Sequence, residues 1–278
     1  KILMKLCKTC IPKNNVTTLT TTKTKKLWKK GFGTHSEFPN DKKPKLKSFK
    51  KKHPKKATID VEIDLGEKFK NRMIYYYASK RGTECAQMLN WDKAYGKFQN
   101  SGMSKLDAKG KAVLKVVRPQ AYVEDGDTYF PHVHFLLTNS NNTQWINKLY
   151  TKAVIIKIDK SELKKYIKSG CYMILNALDY KYYIKNRIPR SLPLPHKLLG
   201  KDIEEKHVDE YFKAMLVHYP KLVEKIKNKQ LTLKQIPIIT YCYSKTCSAS
   251  QKLLNKLWKM GYNNIIEYPG GIMEWLQN

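Results

Sequence analysis

A cysteine at the junction of a predicted strand and a predicted helix is the residue best placed for nucleophilic chemistry. Residues 237–241 form an apolar run that predicts a buried strand, and Cys242 follows it directly. Four apolar residues at helical spacing predict a helix soon after: Leu253, Leu254, Leu257 and Trp258. Backbone N–H groups and a helix N-terminus converge at such a turn and stabilise a thiolate or persulfide. The alternative is an inert, buried cysteine at the end of a core strand.

Three further residues of the same turn bear on that thiol. Lys245 offers positive charge to an anionic sulfur donor such as thiosulfate. Cys247 is a candidate resolving thiol that would form a disulfide with Cys242. Ser248 closes the turn and completes the candidate catalytic set of Cys242, Lys245 and Ser248.

A second group of residues has the spacing of metal ligands. His132 and His134 lie two positions apart in a predicted strand, so their imidazoles point to the same side and can reach one metal ion. The alternative is a pair of structural histidines with ordinary hydrogen bonds.

The elements that must position these residues form two predicted domains after an extended arm. Residues 57–154 are rich in β-branched and alternating apolar residues, which predicts a β-sandwich. Its strands are expected at 59–63, 73–77, 112–117 and 132–137. Residues 155–278 alternate strands and helices, beginning with a helix capped by Asp159 and Glu162. This alternation predicts an α/β domain with a central parallel sheet.

Three motifs within residues 155–278 resemble the rhodanese superfamily. Tyr241-Cys242 matches the end of the family's strand before its active-site loop. Residues 270–275, Gly-Gly-Ile-Met-Glu-Trp, match its closing motif, and residues 175–178 with 187–191 match two upstream segments at the family's spacing. The resemblance implies a rhodanese-like fold and a thiosulfate sulfurtransferase activity with the persulfide on Cys242.

Several positions depart from that family's pattern. Asn176, Leu178 and Arg187 stand where the family has an acidic residue, an arginine and a histidine, so the groups that order the loop are altered. Related phosphatases carry an arginine at the position of Ser248 to clamp phosphate, and phosphatase activity is therefore not expected.

A second resemblance concerns residues 57–155, which are similar in several short segments to the β-sandwich of intradiol ring-cleaving dioxygenases. In that family a His-x-His pair and two tyrosines bind ferric iron, and three of the positions fall on Tyr122, His132 and His134. The fourth falls on Phe98, which cannot coordinate a metal, whereas Tyr95 is out of register. We therefore expect no cofactor, with iron and zinc absent or substoichiometric.

The charge of the chain is its most unusual bulk property. The 54 basic and 23 acidic residues give a net charge of +31. Residues 1–56 contain 18 lysines against Glu37 and Asp41, and so carry +16. This composition predicts an extended arm that binds a polyanion, either nucleic acid or an acidic protein surface; the alternative is a solvated tail.

Two interpretations of the whole chain remain open. It is either a sulfurtransferase with an anchoring arm or a non-enzymatic part of a large assembly, such as a minor capsid protein in the virion of a large DNA virus. A nucleic-acid-binding module is a third class, which rests on charge alone. No apolar run approaches the ~18 residues of a membrane span, and six cysteines are too sparse for a disulfide scaffold. These features predict an intracellular, reducing compartment.

Overall fold

The computed structural model describes residues 43–46, 49–82, 85, 88–124, 126–199 and 203–277. Most of the predicted arm, residues 1–42 together with 47 and 48, therefore lies outside the described residues. The chain divides into two compact units, one formed by residues up to 82 and 89–154, the other by residues 83–88 and 155–278. Among the described helices, none combines the length and apolar character needed to cross a membrane.

The first unit is built from antiparallel strands. They are β1 Ile59–Asp64, β2 Met73–Ala78, β3 Ser101–Lys105, β4 Lys111–Val116, β5 Tyr122–Glu124, β6 Asp127–Tyr129, β7 His132–Leu137 and β8 Tyr150–Ala153, with helix α1 at Trp91–Tyr95 and a 3-10 turn at Glu67–Phe69. One sheet has the order β3-β2-β7-β8, while β1 pairs with β4 and β5 with β6. The predicted strands at 59–63, 73–77 and 132–137 lie within β1, β2 and β7.

The β1–β4 pair and the four-stranded sheet share one apolar core. Val61 and Ile63 of β1 are buried in this core, while Glu62 between them is exposed. Ile74 of β2 and Phe135 of β7 belong to the same cluster. Each large apolar side chain buried in this way contributes roughly 1.5–3 kcal/mol to folding. The shared core fixes β7, the strand that carries His132 and His134.

The described end of the predicted arm lies against the first unit. Lys52 and Met103 of β3 exchange two backbone hydrogen bonds of 3.0 and 2.8 Å. The indole N–H of Trp145 donates to the carbonyl of Pro44 at 2.8 Å. Residues 44 and 52 therefore contact the β unit, although the arm was expected to extend to residue 56.

The second unit alternates helices and strands as the sequence predicts. Its elements are α2 Lys160–Ser169, β9 Met173–Asn176, α3 Tyr180–Lys185, β10 Ser191–Pro193, α4 Glu205–Met215, α5 Pro220–Lys227, β11 Ile238–Tyr241, α6 Ala249–Lys259, β12 Ile265–Tyr268 and α7 Gly271–Leu276, with 3-10 turns at Leu216–His218 and Leu233–Gln235. The four strands form a parallel sheet in the order β10-β9-β11-β12. The predicted α/β domain with a parallel sheet is confirmed.

Local sequence signals explain where the elements around the thiol loop begin and end. Asp159 caps α2 by accepting a hydrogen bond from the Glu162 N–H at 2.8 Å, and Gly170 ends the helix with φ 70°. All four residues of β11 are buried, as expected for an inner strand of a parallel sheet. The four predicted apolar residues of α6 are buried as well. Residues 242–248 are thus held between a buried strand and a packed helix.

One disulfide joins residues that are far apart in the sequence. Cys85 and Cys171 are bonded within the second unit, with a separation of 86 residues and a Cα–Cα distance of 5.4 Å. This pairing was not predicted, because six scattered cysteines give no spacing from which partners can be inferred. Cys242 and Cys247 remain free thiols.

Candidate functional site

The loop that follows β11 is fixed in place by the start of α7. The N–H groups of Ile272 and Met273 donate to the carbonyls of Cys242 and Tyr243, at 3.0 and 2.9 Å. Gly271 has φ 62°, and a Cβ at this position would lie 2.5 Å from the carbonyl carbon of Tyr243. Only glycine fits here without displacement of the loop. The Gly-Gly-Ile motif therefore fixes the backbone that carries both thiols.

The thiol of Cys242 is fully buried and faces mostly hydrogen-bond acceptors. Its side chain has 0% exposure, and Sγ lies 3.1 Å from the carbonyl oxygen of Cys247 and 3.7 Å from that of Ser244. Burial raises the pKa of the Cys242 thiol, and this effect together with that of Cys247 outweighs the Ser250 hydroxyl and backbone amide, which act to lower it.

The thiol of Cys247 lies in a different environment. It is only partly buried, and the backbone amides of Tyr243, Ser244 and Ala249 favour its ionised form and so act to lower its pKa. Partial burial raises the pKa of Cys247, but these amides and the Cys242 thiol outweigh that effect, so the pKa is lowered. The stabilised thiolate expected at Cys242 is therefore favoured at Cys247 instead.

A buried carboxylate lies behind Cys242. Glu267 of β12 is 1% exposed, and its Oε1 accepts a hydrogen bond from the Ser250 hydroxyl at 2.7 Å. Its Oε2 accepts from Gln251 Nε2 at 3.2 Å. Ser250 Oγ also lies 3.4 Å from Cys242 Sγ. The Ser250 hydroxyl therefore contacts both the Cys242 thiol and the Glu267 side chain.

The other two predicted catalytic residues lie in the same loop but contact different groups. Lys245 Nζ forms an ion pair of 2.8 Å with Glu274 Oε2, and its side chain is largely exposed. Ser248 is the N-cap residue of α6 and makes no side-chain cap hydrogen bond. The loop therefore brings Cys242 and Cys247 together, while Lys245 is directed to α7.

The candidate metal ligands of the first unit converge on one point. His132 Nε2 lies 3.0 Å from His134 Nε2 and 3.4 Å from the Tyr122 hydroxyl. The Tyr95 hydroxyl lies 3.1 Å from the same His132 nitrogen. All four side chains are buried. The structure thus brings together the three predicted positions and adds Tyr95, which the sequence register had excluded.

The hydrogen bonds of the two histidines leave their Nε2 atoms facing each other. His132 Nδ1 donates to the carbonyl of Phe130 at 2.6 Å, and His134 Nδ1 lies 2.8 Å from Thr151 Oγ1. Burial lowers the pKa of His132 to about 4 and that of His134 also, so both imidazoles are neutral. Neutral imidazoles fixed through Nδ1 are typical of metal ligands, and the two tyrosine hydroxyls complete a donor set that fits ferric iron.

Comparison with known families identifies the second unit. The family profile described as rhodanese-like domain matches residues 159–278, somewhat less than half of the chain. These residues form a rhodanese-like domain. No curated protein sequence matches the chain.

Several solved structures share similarity with the chain. One is a human single-domain sulfurtransferase, at 16% identity over 45% of this chain and 98% of that chain, with a TM-score of 0.32. A single-domain sulfurtransferase of Saccharomyces cerevisiae has 15% identity over 44% and 89%, with a TM-score of 0.31. A protein of Bacillus halodurans has 24% identity over 43% and 70%, with a TM-score of 0.30.

Two residues at which this domain departs from the family pattern, Asn176 and Arg187, contact tyrosine side chains. Asn176 accepts a hydrogen bond from the Leu178 N–H at 2.8 Å and donates to the Tyr241 hydroxyl at 3.0 Å. The Arg187 guanidinium lies over the Tyr183 ring, 5.5 Å from its centroid. Asn176 therefore orders the end of β11 through neutral hydrogen bonds.

Sequence reasoning missed Ser250 and Glu267 in the rhodanese-like domain, and Tyr95 in the first unit. Glu267 interrupts an otherwise apolar strand, Ile-Ile-Glu-Tyr, and an acidic residue in such a strand is a usable signal for a functional carboxylate. Tyr95 ends the short helix α1, and its distance from the His-x-His pair along the chain gave no register from which to place it.

Proposed function

We propose that the rhodanese-like domain is a sulfurtransferase that carries a sulfane sulfur on a cysteine of the loop 242–248. The supporting observation is the position of the two thiols in a loop between the buried strand β11 and helix α6, which α7 holds through two backbone hydrogen bonds. The backbone amides of Tyr243, Ser244 and Ala249 lower the pKa of Cys247 in this loop. Such a group of amides stabilises an anionic sulfur, whether thiolate or persulfide. The family resemblance assigns the persulfide to Cys242, and the adduct is therefore to be sought on both thiols.

The proposed reaction needs only the thiolate and a sulfane donor. The thiolate attacks the outer sulfur of thiosulfate, a new S–S bond forms, and the original S–S bond breaks with its electron pair leaving on sulfite. The product is a persulfide anion on the cysteine, which an external thiol or cyanide then removes. The loading step conserves charge. The thiolate and thiosulfate together carry a formal charge of about −3, and so do the persulfide anion and the sulfite dianion that they form.

The test is a single turnover of the full-length protein with thiosulfate. We expect about one sulfite per chain to be released, as nucleophilic attack by one thiolate requires. The variant Cys242→Ser/Cys247→Ser keeps both side-chain volumes close to the originals and should release none. Sulfite release that persists in this double variant, or its absence from the wild-type protein, would end the sulfurtransferase proposal.

A second candidate function belongs to the first unit, where we propose a ferric iron centre held by Tyr95, Tyr122, His132 and His134. The expectation that iron is absent rested on Phe98 at the fourth ligand position, and Tyr95 now supplies a hydroxyl 3.1 Å from His132 Nε2. A bound ferric ion would supply the Lewis-acid and redox chemistry that the dioxygenase resemblance implies. Phe98 packs on Tyr95, with ring centroids 5.9 Å apart, and so helps to position that tyrosine.

Iron content and visible absorption test this metal centre. Protein reconstituted with iron should bind about one equivalent and show a tyrosinate-to-iron charge-transfer band, and Tyr95→Phe should weaken both because one ligand is lost. Tyr76→Phe is the matched control, because Tyr76 is a buried tyrosine whose hydroxyl contacts the Lys52 carbonyl instead. Equal iron binding in the wild-type protein and Tyr95→Phe would contradict the proposed ligand set.

A further inference from the structure

Helix α3, Tyr180–Lys185, lies on the surface of the rhodanese-like domain and buries none of its residues. Tyr180 is 60% exposed, Tyr182 is 48% exposed and Ile184 is 54% exposed, so one short helix presents three large apolar side chains to solvent. Exposed apolar side chains that are gathered in one place mark interaction sites, whereas scattered ones do not. The exposed side of α3 is therefore a candidate docking surface.

The helical spacing arranges these side chains around two lysines. Lys181 and Lys185 are four residues apart and so share one face of α3. Tyr180 and Ile184, also four residues apart, lie on one side of that face, and Tyr182 lies on the other side. Both lysines are exposed. The outer face of α3 thus carries a pair of cations between aromatic rings.

The inner side of α3 is anchored, which holds the exposed rings in place. The Tyr183 hydroxyl donates to the Ser191 carbonyl at 2.6 Å, and the Tyr183 ring stacks on that of Tyr180 with centroids 6.0 Å apart. Lys181 Nζ lies 5.2 Å from the centroid of the Tyr182 ring. Because rings and cations are arranged before a partner binds, less conformational freedom is lost on binding.

The charge around α3 restricts what can cover it. Residues 180–199 contain five basic residues and no acidic ones. Asp179, which precedes the helix, is paired with Lys197 at 3.1 Å. Residues 1–42 have ten lysines against Glu37 and Asp41, so this segment and a second copy of α3 are both repelled by like charge. The surface of α3 is complementary to a polyanion.

We propose that α3 binds single-stranded nucleic acid, with phosphates on Lys181 and Lys185 and bases stacked on Tyr180 and Tyr182. The bases of a single strand are free to stack on exposed rings, whereas those of a duplex are already stacked on each other. An acidic protein surface would pair with the lysines but leave the rings in solvent. Binding of this kind tolerates different base sequences, because every base has a flat aromatic face. This inference does not depend on the proposed sulfurtransferase function.

Fluorescence anisotropy of the full-length protein with labelled oligothymidylate tests the two rings. Tyr180→Ala/Tyr182→Ala should weaken binding at least ~10-fold, the loss expected when two bases lose their stacking partners. Its salt dependence should be unchanged, because no charge is removed. Tyr180→Phe/Tyr182→Phe keeps both rings and should bind as the wild-type protein does. A duplex of the same length should bind equally to all three proteins, because its bases cannot reach the rings.

The two lysines have a separate test. Lys181→Ala/Lys185→Ala should lower the slope of log affinity against log salt by about 1.4, because each phosphate contact with a single strand adds about 0.7. Lys164→Ala/Lys165→Ala is the matched control and should lower the slope less. It also removes two exposed lysines from a helix of the same domain, but α2 exposes no large apolar side chain among its described residues.

A measurement on unmutated protein does not depend on how the variants fold. Irradiation of its complex with a strand that contains 5-iodouracil should attach the strand to Tyr180 or Tyr182, which peptide mapping detects. Crosslinks confined to residues 1–56 would overturn the inference and assign single-strand binding to the arm. Equal affinity of the wild-type protein and Tyr180→Ala/Tyr182→Ala for oligothymidylate, or no binding by either, would overturn it as well.

Discussion

The difference between the two loop cysteines arises from what their sulfur atoms face. Cys242 Sγ lies 3.1 Å from a carbonyl oxygen and has no exposure to solvent, whereas Cys247 is partly exposed and its pKa is lowered by backbone amides of the loop and the start of α6. Carbonyl oxygens destabilise a thiolate, and N–H groups stabilise it. A five-residue separation in sequence thus produces opposite shifts of pKa.

These opposite shifts predict a difference in alkylation that depends on pH. Burial raises the pKa of Cys242, while that of Cys247 is lowered by amide hydrogen bonds that outweigh its own partial burial. As pH falls through the ordinary thiol range, Cys247 should stay ionised and keep reacting, and Cys242 should stop. We expect iodoacetamide at pH 7 to modify Cys247 at least ~10-fold faster, since the thiolate is the nucleophile. Equal rates, measured by mass mapping across a pH series, would contradict the assigned environments.

Ser250 allows a prediction about the buried polar contacts beside Cys242. Ser250→Ala removes the hydroxyl that lies 3.4 Å from Cys242 Sγ and donates to Glu267 Oε1 at 2.7 Å. Because this leaves a buried acceptor without its donor, we expect a loss of roughly 1–3 kcal/mol in the free energy of unfolding. Ser250→Thr, which retains the hydroxyl, should lose less. Equal urea midpoints for the wild-type protein and Ser250→Ala would contradict a stabilising role.

At the scale of elements, the loop depends on the contact between α7 and β11. Gly271→Ala places a Cβ 2.5 Å from the Tyr243 carbonyl carbon, at a position with φ 62°. We expect destabilisation of more than ~1 kcal/mol, since the overlap adds to the cost of a left-handed alanine, together with slower alkylation of Cys247. Gly261→Ala is the control, because it has φ 85° but only a Lys234 side-chain atom within 4 Å, at 3.9 Å. Urea unfolding that gives equal losses for both variants would contradict the proposed fit.

The sequence predicted the elements that local signals determine. The Asp159 cap, the apolar strand before Cys242 and the apolar face of α6 each depend on residues within one or two turns of each other. The two candidate sites were predicted only in part. The contact of Ser250 with Glu267 and that of Tyr95 with His132 each join segments that are separated in the sequence. Tyr95 reaches His132 across 37 residues, and no pattern within either segment indicates that distance. The unequal burial of Cys242 and Cys247 depends on φ and ψ angles that residue types alone do not determine.

At the scale of the whole molecule, the Cys85–Cys171 disulfide bears on both stability and compartment. Disulfides persist in oxidising surroundings, whereas the sparse cysteines led us to expect a reducing compartment. A bond that closes a loop of 86 residues restricts the unfolded chain. In the chain-entropy account such a bond stabilises the folded state by roughly 4–5 kcal/mol at most.

Reduction of this disulfide should therefore have a measurable effect. We expect the urea midpoint of the second unit to fall when a phosphine reductant is added, by an amount equivalent to ~2–4 kcal/mol. The variant Cys85→Ala/Cys171→Ala should show the lower midpoint with or without reductant. A wild-type midpoint that does not respond to reductant, while mass mapping shows both thiols free, would contradict a stabilising role.

The lysine-rich arm, residues 1–56, is the remaining whole-molecule feature. Its lysines are divided between residues 1–42 and the segment that contains the contacts of Pro44 and Lys52. Residues 1–42 hold ten of its 18 lysines, and residues 43–56 hold eight. The Pro44 carbonyl accepts from the Trp145 indole, and Lys52 exchanges backbone hydrogen bonds with Met103, so the second half of the arm is held against the first unit at these two residues. We propose that the arm attaches the chain to a polyanion or to a larger assembly. The chain would act there either as a sulfurtransferase or as a structural component.

Two truncations distinguish the partners of the arm. Removal of residues 1–42 spares the Pro44 and Lys52 contacts, whereas removal of residues 1–56 also deletes them. If the partner is nucleic acid, each phosphate neutralised adds about 0.9 to the slope of log affinity against log salt, so the shorter truncation should flatten that slope without lowering stability. If the partner is an acidic protein surface, nucleic acid binding should be weak in the full chain, and truncation should instead prevent assembly. The arm has neither role if the chain without residues 1–42 binds nucleic acid and assembles as well as the full chain.

Only the longer truncation is expected to lower the urea midpoint of the first unit, because it alone removes the strand-like pairing of Lys52 with Met103.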